Sequence, residues 1–512
     1  MATSIVKFLE PLSVDVAKIQ SLSQHFLETF EKLAADSENQ FLPTPISEAI
    51  LRPEAERTRG CHLAIDIGGT NLRVGFVKLD TDKESGDNVT NGSDDHRESP
   101  RHVQRLLERS WPIDEQLKNE NADSLFLWIG KCIAEVVHDG CEELYLPLDQ
   151  TMPLGVTFSF PMVQHSLSEA TLMSMGKGFA MSCDLDLGDR LTDGYNRAKG
   201  PELPPIQVRA IANDSVSTLV SFIFNFDGAT NRRAAMGLIL GTGCNATIPL
   251  KLSQLHPNKR PRSVVAHLEE QAANVKIAIN TEWSINGTAP PLHETGLVSQ
   301  WDKVLDSQNE LPGFQPLEYM TAGRYLGELG RIMLVDYMTK HMGIAAETLP
   351  AKLLQRHGLT TTFLSHFRPL RPSVLLSALQ EEFPESSGSA SFAWSEELAG
   401  ALYLIAKAIE IRAAGIVAAA TLALLTLAGE VPQDGSTGLD QDHEIGVGYT
   451  GGCIVHFQDY LKDCQAFLDQ LMRTRFGDQS PMRVVLSPCH DGGVTGAGIL
   501  VAATALSKTI DK

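Results

Sequence analysis

Aromatic residues make up only 6% of this 512-residue chain, and basic residues are outnumbered, 43 Lys and Arg against 63 Asp and Glu. The resulting formal charge of −20 argues against broad binding to nucleic acid or to anionic membranes. Cysteine is sparse as well. The eight cysteines run from Cys61 to Cys489 with no Cys-x-x-Cys and no paired spacing, which excludes a disulfide framework and a zinc site. They read as reduced thiols of a cytoplasmic protein, and no metal held by protein ligands is expected. Met1 to Glu10 lacks the long apolar core of a signal peptide. Only Ala413 to Gly429 approaches the length of a membrane span. It is alanine-rich and directly follows Glu410 and Arg412, so a buried core helix is expected.

What the chain does have is two glycine turns, each between apolar runs. Asp66-Ile67-Gly68-Gly69-Thr70-Asn71-Leu72-Arg73 is flanked by Cys61 to Ile65 and by Val74 to Leu79. Both flanks read as strands, so the Gly-Gly pair is expected at a tight hairpin turn with positive φ. Backbone N–H groups there can approach a phosphate closely. Asp66, Thr70 and Arg73 add a carboxylate, a hydroxyl and a guanidinium. About 175 residues later, Gly237 to Leu240 runs into Gly241-Thr242-Gly243-Cys244-Asn245. Neither turn is a Gly-x-x-x-x-Gly-Lys-Ser/Thr loop or a dinucleotide fingerprint. Two strand-turn-strand phosphate clamps, each opening its own α/β half, match the layout of the actin-like ATPase superfold.

The order of the remaining pieces resembles the hexokinases over essentially the whole chain. The family's sugar-binding segment looks like Ser159-Phe160-Pro161, and its Thr-Lys-Gly-Phe segment like Gly176-Lys177-Gly178-Phe179 without the threonine. Its catalytic Asn-Asp pair falls on Asn213 and Asp214, and two sugar-binding glutamates fall on Glu282 and Glu318. The resemblance implies a two-lobed α/β fold with a sugar cleft between the lobes. N-terminal helices (1–60) would pack on a large domain (212–496). A small domain (61–211) would be completed by the C-terminal helix (497–512). The partners implied are a sugar and ATP with Mg²⁺, in a monomer or weak homodimer.

Each candidate has a stated role in that scheme. Asp214 would take the proton of the accepting hydroxyl as general base, and it could also cap the helix through Val216 to Val220. Lys177 would reach the sugar or the transferring phosphate. Ser159, Phe160, Asn213, Asn245, Glu282 and Glu318 would bind the sugar, since carboxylates accept from its hydroxyls and amides both donate and accept. Gly68, Gly69, Thr70, Asn71, Arg73, Gly241, Thr242 and Gly243 would hold the phosphates. Asp66 would orient Mg²⁺ through water, because that ion dehydrates reluctantly.

The departures from the family bear on the substrates. Glucose kinases of the family carry a Gly-Gln-Gln run where this chain has Gly313-Phe314-Gln315, and a threonine where it has Gly176. A roomier, more apolar spot suits an N-acetyl group, with Ser284 or Asn286 as partners for its amide. These runs resemble fungal N-acetylglucosamine kinases, and 6-phosphorylation of that sugar is the expectation, with glucokinase or general hexokinase as the alternative. The adenosine segments also differ: Gly446 to Gly452 and Asp491 to Ala497 replace the usual Asp-Gly-Ser/Thr and Ser-Gly-Lys-Gly. A catalytically silent regulator is therefore a further alternative.

Overall fold

In the computed structural model the described residues are 2–52, 60–80, 102–114, 117, 122–173, 185–226, 231–267, 270–271, 274–367, 372–384, 392–433, 443–478, 480–505 and 507–511. Two mixed sheets carry the architecture. The five-stranded one runs His102–Pro112, Asn71–Asp80, Gly60–Ile67, Met152–Phe158, Ile206–Ala212. Its first three strands are antiparallel and the last two join in parallel.

The larger sheet repeats that plan. Lys276–Asn280, Cys244–Lys251 and Arg232–Leu240 are antiparallel, and His443–Thr450 and Met482–Pro488 follow in parallel. The two halves thus share one strand order, with a hairpin turn at the same place in each. Three further strands extend the larger sheet to eight: Leu42–Ser47, Ser263–Ala266 and Lys508–Asp511. The segment 1–60, expected to supply helices only, therefore also supplies a sheet strand. The C-terminal helix begins earlier than expected, at Gly492, ends at Thr504, and is followed by the edge strand Lys508–Asp511. His102–Arg105 pairs with the end of Asn71–Asp80.

The helices follow the apolar spacing. Val16–Asp36 is capped by Asp15, whose carboxylate accepts from Lys18 N at 2.8 Å. It buries Ile19, Leu22, Phe26 and Phe30 against the 32-residue helix Glu396–Leu427. That second helix holds the apolar run noted above. Its most apolar window is 89% buried inside the molecule, as a core helix requires. Buried Arg412 is neutralised by a two-pronged pair with Asp302, at 2.6 and 2.8 Å.

Two helices bring the halves together. Asp214–Phe226 leaves the last strand of the five-stranded sheet and packs on Arg232–Leu240 of the larger one. Gly492–Thr504 packs across it and against Gly60–Ile67. Both helix N-termini open near the first hairpin turn, and the candidate site is built there.

Candidate active site

The first hairpin forms as its sequence suggests. Gly60–Ile67 and Asn71–Asp80 pair so that Asp66 lies opposite Arg73. Arg73 Nη1 donates to Asp66 Oδ2 at 3.2 Å. Gly68 N donates to Asn71 O at 3.0 Å, and Ile113 N to Thr70 O at 2.8 Å. The exposed tip presents Thr70 and Asn71, with Asn71 Nδ2 donating to Thr70 Oγ1 at 3.1 Å. The positive φ expected at Gly68 and Gly69 is not found there; it occurs at Gly451, on the neighbouring loop, with φ 122°.

Asp66 sits deeper, its side chain 13% exposed. Burial, and next the negative charge of Asp214, push its carboxyl up to about 6, against the pull of Arg73. Gly493, the second residue of the C-terminal helix, comes so near that a Cβ there would stand 2.5 Å from Asp66 Oδ2. No local feature of either segment announces this approach.

Asp214 opens its helix. Asn213 caps it, Oδ1 accepting from Ser215 N at 3.0 Å and Ser215 Oγ at 2.7 Å. Asp214 Oδ1 accepts from Ser215 N at 2.8 Å. Capping and a rigidly placed carboxylate are thus combined in one turn.

Around Asn213 a half-buried amide-carboxylate cluster assembles. Asn245 Nδ2 reaches Asn213 Oδ1 at 3.4 Å, Asn280 Oδ1 at 2.9 Å and Glu282 Oε1 at 3.4 Å. Asn280 Nδ2 donates to Glu282 Oε1 at 2.9 Å. Asn280 was passed over in the sequence because one Asn beside a Glu carries no signal until the strands pair. Glu318, 7% exposed, accepts from Cys244 N at 3.0 Å and so is tied to the second turn. Such a network is stiff because each member limits its neighbours' rotamers.

The second turn joins Arg232–Leu240 to Cys244–Lys251, with Gly241 N donating to Gly243 O at 3.0 Å. Behind it opens a cleft of about 620 Å³, lined among others by Gly241, Thr242, Arg324, His357, His366 and His456. No carboxylate is among its described lining residues. Gly451 packs on the second turn, next to the lining residue Gly452. Its positive φ suits glycine alone, and a Cβ there would lie 2.3 Å from Leu240 O and 2.6 Å from Gly241 N. Gly451→Ala is therefore expected to destabilise the protein by more than about 1 kcal/mol and to weaken nucleotide binding selectively. Thermal unfolding and ATP titration would check this; an unchanged nucleotide affinity would detach this loop from the cleft's function. Gly446 and Gly448, grouped in the sequence with the adenosine segment, instead pack on Phe226 and Phe222.

Two further expectations need placing. Lys177, with Gly176, lies outside the described residues. Phe160 is 2% exposed, its ring 4.9 Å from Phe158, and it packs in the core of the five-stranded half. Ser159 N donates to Ile67 O at 3.1 Å, docking that segment beside the first turn.

Comparison with known proteins follows this geometry. Residues 4–224 and 235–503 match the two family models described as hexokinase. A hexokinase of Emericella nidulans is 28% identical over 66% of this chain and 61% of its own length. Hexokinase-1 of Schizosaccharomyces pombe is 27% identical over 88% of this chain and 81% of its own. The solved hexokinase of Schistosoma mansoni complexed with glucose superposes with a TM-score of 0.73 at 24% identity, covering 98% of both chains. At that identity the likeness is one of fold.

Proposed function

Because this chain belongs to the hexokinase family of sugar kinases, we propose that its cleft transfers the γ-phosphoryl group of ATP to the 6-hydroxyl of a hexose. The observation that carries this reading is the cluster of Asn213, Asn245, Asn280 and Glu282, whose first member directly precedes Asp214. The amides and the carboxylate hold the sugar's hydroxyls. Asp214 accepts the 6-hydroxyl proton as the new O–P bond forms and the bond from phosphorus to ADP breaks.

The cleft behind Gly241 and Thr242 suits a polyanion, having Arg324 on its wall and no carboxylate among its described lining. Among the described residues no group of three or more His, Cys, Asp or Glu could hold a metal ion. Mg²⁺ would arrive with the nucleotide, because it dehydrates reluctantly and is held chiefly by phosphate oxygens. Asp66, whose charge is under-compensated beside Asp214, would face it, and the ion would neutralise phosphate charge.

The acceptor proposed is N-acetylglucosamine. Phe314, which stands in place of an amide, is 38% exposed and so not consumed by the core, while Ser284 is a buried hydroxyl two residues after Glu282. Glucose is the second reading, favoured by relatives named hexokinase and by a structural neighbour solved with glucose. A coupled ADP-release assay with Mg-ATP separates them. The expected result is turnover with N-acetylglucosamine at least about tenfold above glucose, the discrimination one apolar contact can supply. Turnover on glucose alone would keep the reaction and discard the role of Phe314. Sugar binding with no turnover on any hexose would favour the silent regulator.

A further inference from the structure

We infer that Gln40, on the segment joining the Val16–Asp36 helix to the Leu42–Ser47 strand, is a positioning residue that sets the orientation of Glu282 toward the sugar. This rests on the sugar-kinase reading above. Glu282 has φ 44°, a left-handed conformation that a non-glycine residue keeps only when its surroundings impose it. Gln40 Nε2 donates to Glu282 O at 2.9 Å, across 242 residues of sequence. Beside it Phe41 N donates to Thr281 O at 3.0 Å, and Phe41 is itself left-handed, with φ 55°. On the opposite side Thr281 N and Oγ1 both donate to Ala246 O, at 3.0 and 2.9 Å. The Thr281-Glu282 backbone is clamped from both sides, by the Gln40-Phe41 segment and by the Cys244–Lys251 strand.

Gln40 is fixed in turn. It is 2% exposed; its N–H donates to Ser37 Oγ at 3.2 Å, and its carbonyl accepts from buried Lys259 Nζ at 2.7 Å. Its carboxamide fills the space that a side chain at Gly287 would need, since a Cβ there would stand 2.0 Å from Gln40 Oε1. Without the Gln40 donor the Glu282 carbonyl loses a buried partner, and the left-handed peptide loses one of its restraints. The carboxylate would then swing away from Asn280 and Asn245. An N-terminal element outside the hairpins thus reaches the sugar site through one amide.

The test measures sugar and ATP binding by titration calorimetry on the full chain, using N-acetylglucosamine and glucose as probes. Gln40→Met keeps the length of the side chain and removes the donor. Gly287→Ala pushes the carboxamide aside while leaving Gln40 intact. In both variants the sugar Kd is expected to rise about tenfold, with the ATP Kd and kcat at saturating sugar nearly unchanged and the melting temperature somewhat lower, because a buried hydrogen bond of the folded state is lost. Glu282→Gln serves as the reference and is expected to weaken sugar binding at least as much. If Glu282→Gln weakens sugar binding and the other two variants do not, the positioning role is overturned and the sugar site stands. If Glu282→Gln has no effect, the sugar site and this inference fall together. Equal losses of sugar and ATP affinity would mark Gln40 as general scaffold and overturn the inference.

Discussion

Asp214→Asn is expected to lower kcat by about 10² to 10⁴ while leaving sugar and ATP binding close to wild type. The asymmetry follows from the geometry. Asp214 Oδ1 accepts from Ser215 N at 2.8 Å, and an asparagine oxygen can accept the same bond. The cap proper is the Asn213 side chain, which the substitution does not touch. Helix and fold should therefore survive, and what disappears is the capacity to take a proton. Steady-state assay with parallel calorimetry separates the two effects. Retained turnover in a folded variant would remove Asp214 from the reaction. Lost sugar binding would assign it to holding the substrate instead.

The second large effect concerns Asp66, where function and stability are expected to pull in opposite directions. Its carboxyl is raised from 3.8 to about 6, so the folded state holds this proton more tightly than the unfolded chain does. The stabilising contribution of the protonated group is complete below about pH 4. It fades as pH rises through about 6, leaving a penalty of roughly 2–3 kcal/mol at pH 7. Asp66→Asn should therefore stabilise the ligand-free protein at pH 7 by about 1–3 kcal/mol, less whatever the Arg73 contact contributed, and change little at pH 4. The same substitution should cut kcat/KM for Mg-ATP by about 10² or more, because the carboxylate that would orient Mg²⁺ on the phosphates is lost. In the wild type, kcat/KM for Mg-ATP should fall below about pH 6 as Asp66 protonates. Denaturant unfolding at both pH values gives the first answer. A variant less stable at pH 7 than the wild type would refute the assignment of strain to this carboxylate.

Much of this site could be read before any coordinates. The first hairpin was legible because strand, turn and strand lie within twenty residues, and alternation plus Gly68-Gly69 marks each part. The second turn was legible for the same reason. Asp214 could be placed at a helix start, since Asn-Asp-Ser before an apolar run carries its own capping chemistry. The positive φ was assigned to the wrong glycines because composition does not say which glycine of a loop cluster must turn. Phe160 was read as a ligand contact, although an aromatic beside proline is as readily a core residue. Asn280 gave no sign at all, because its two partners lie on different strands.

By itself the sequence determined the local parts: two glycine hairpins, a capped helix ahead of a carboxylate, the buried apolar helix and the polar residues available to bind a sugar. Each of these depends on residues close in sequence, where periodicity and turn chemistry speak directly. Only the tertiary structure decided which of them meet. It put Gly493 against Asp66, made Leu42–Ser47 a neighbour of Lys276–Asn280, and set Gln40 on the backbone of Glu282. Those contacts join segments hundreds of residues apart through single hydrogen bonds and close approaches, which repeat nothing along the chain. A polar side chain's partner is chosen by strand register and helix packing, and both exist only once the two sheets have formed.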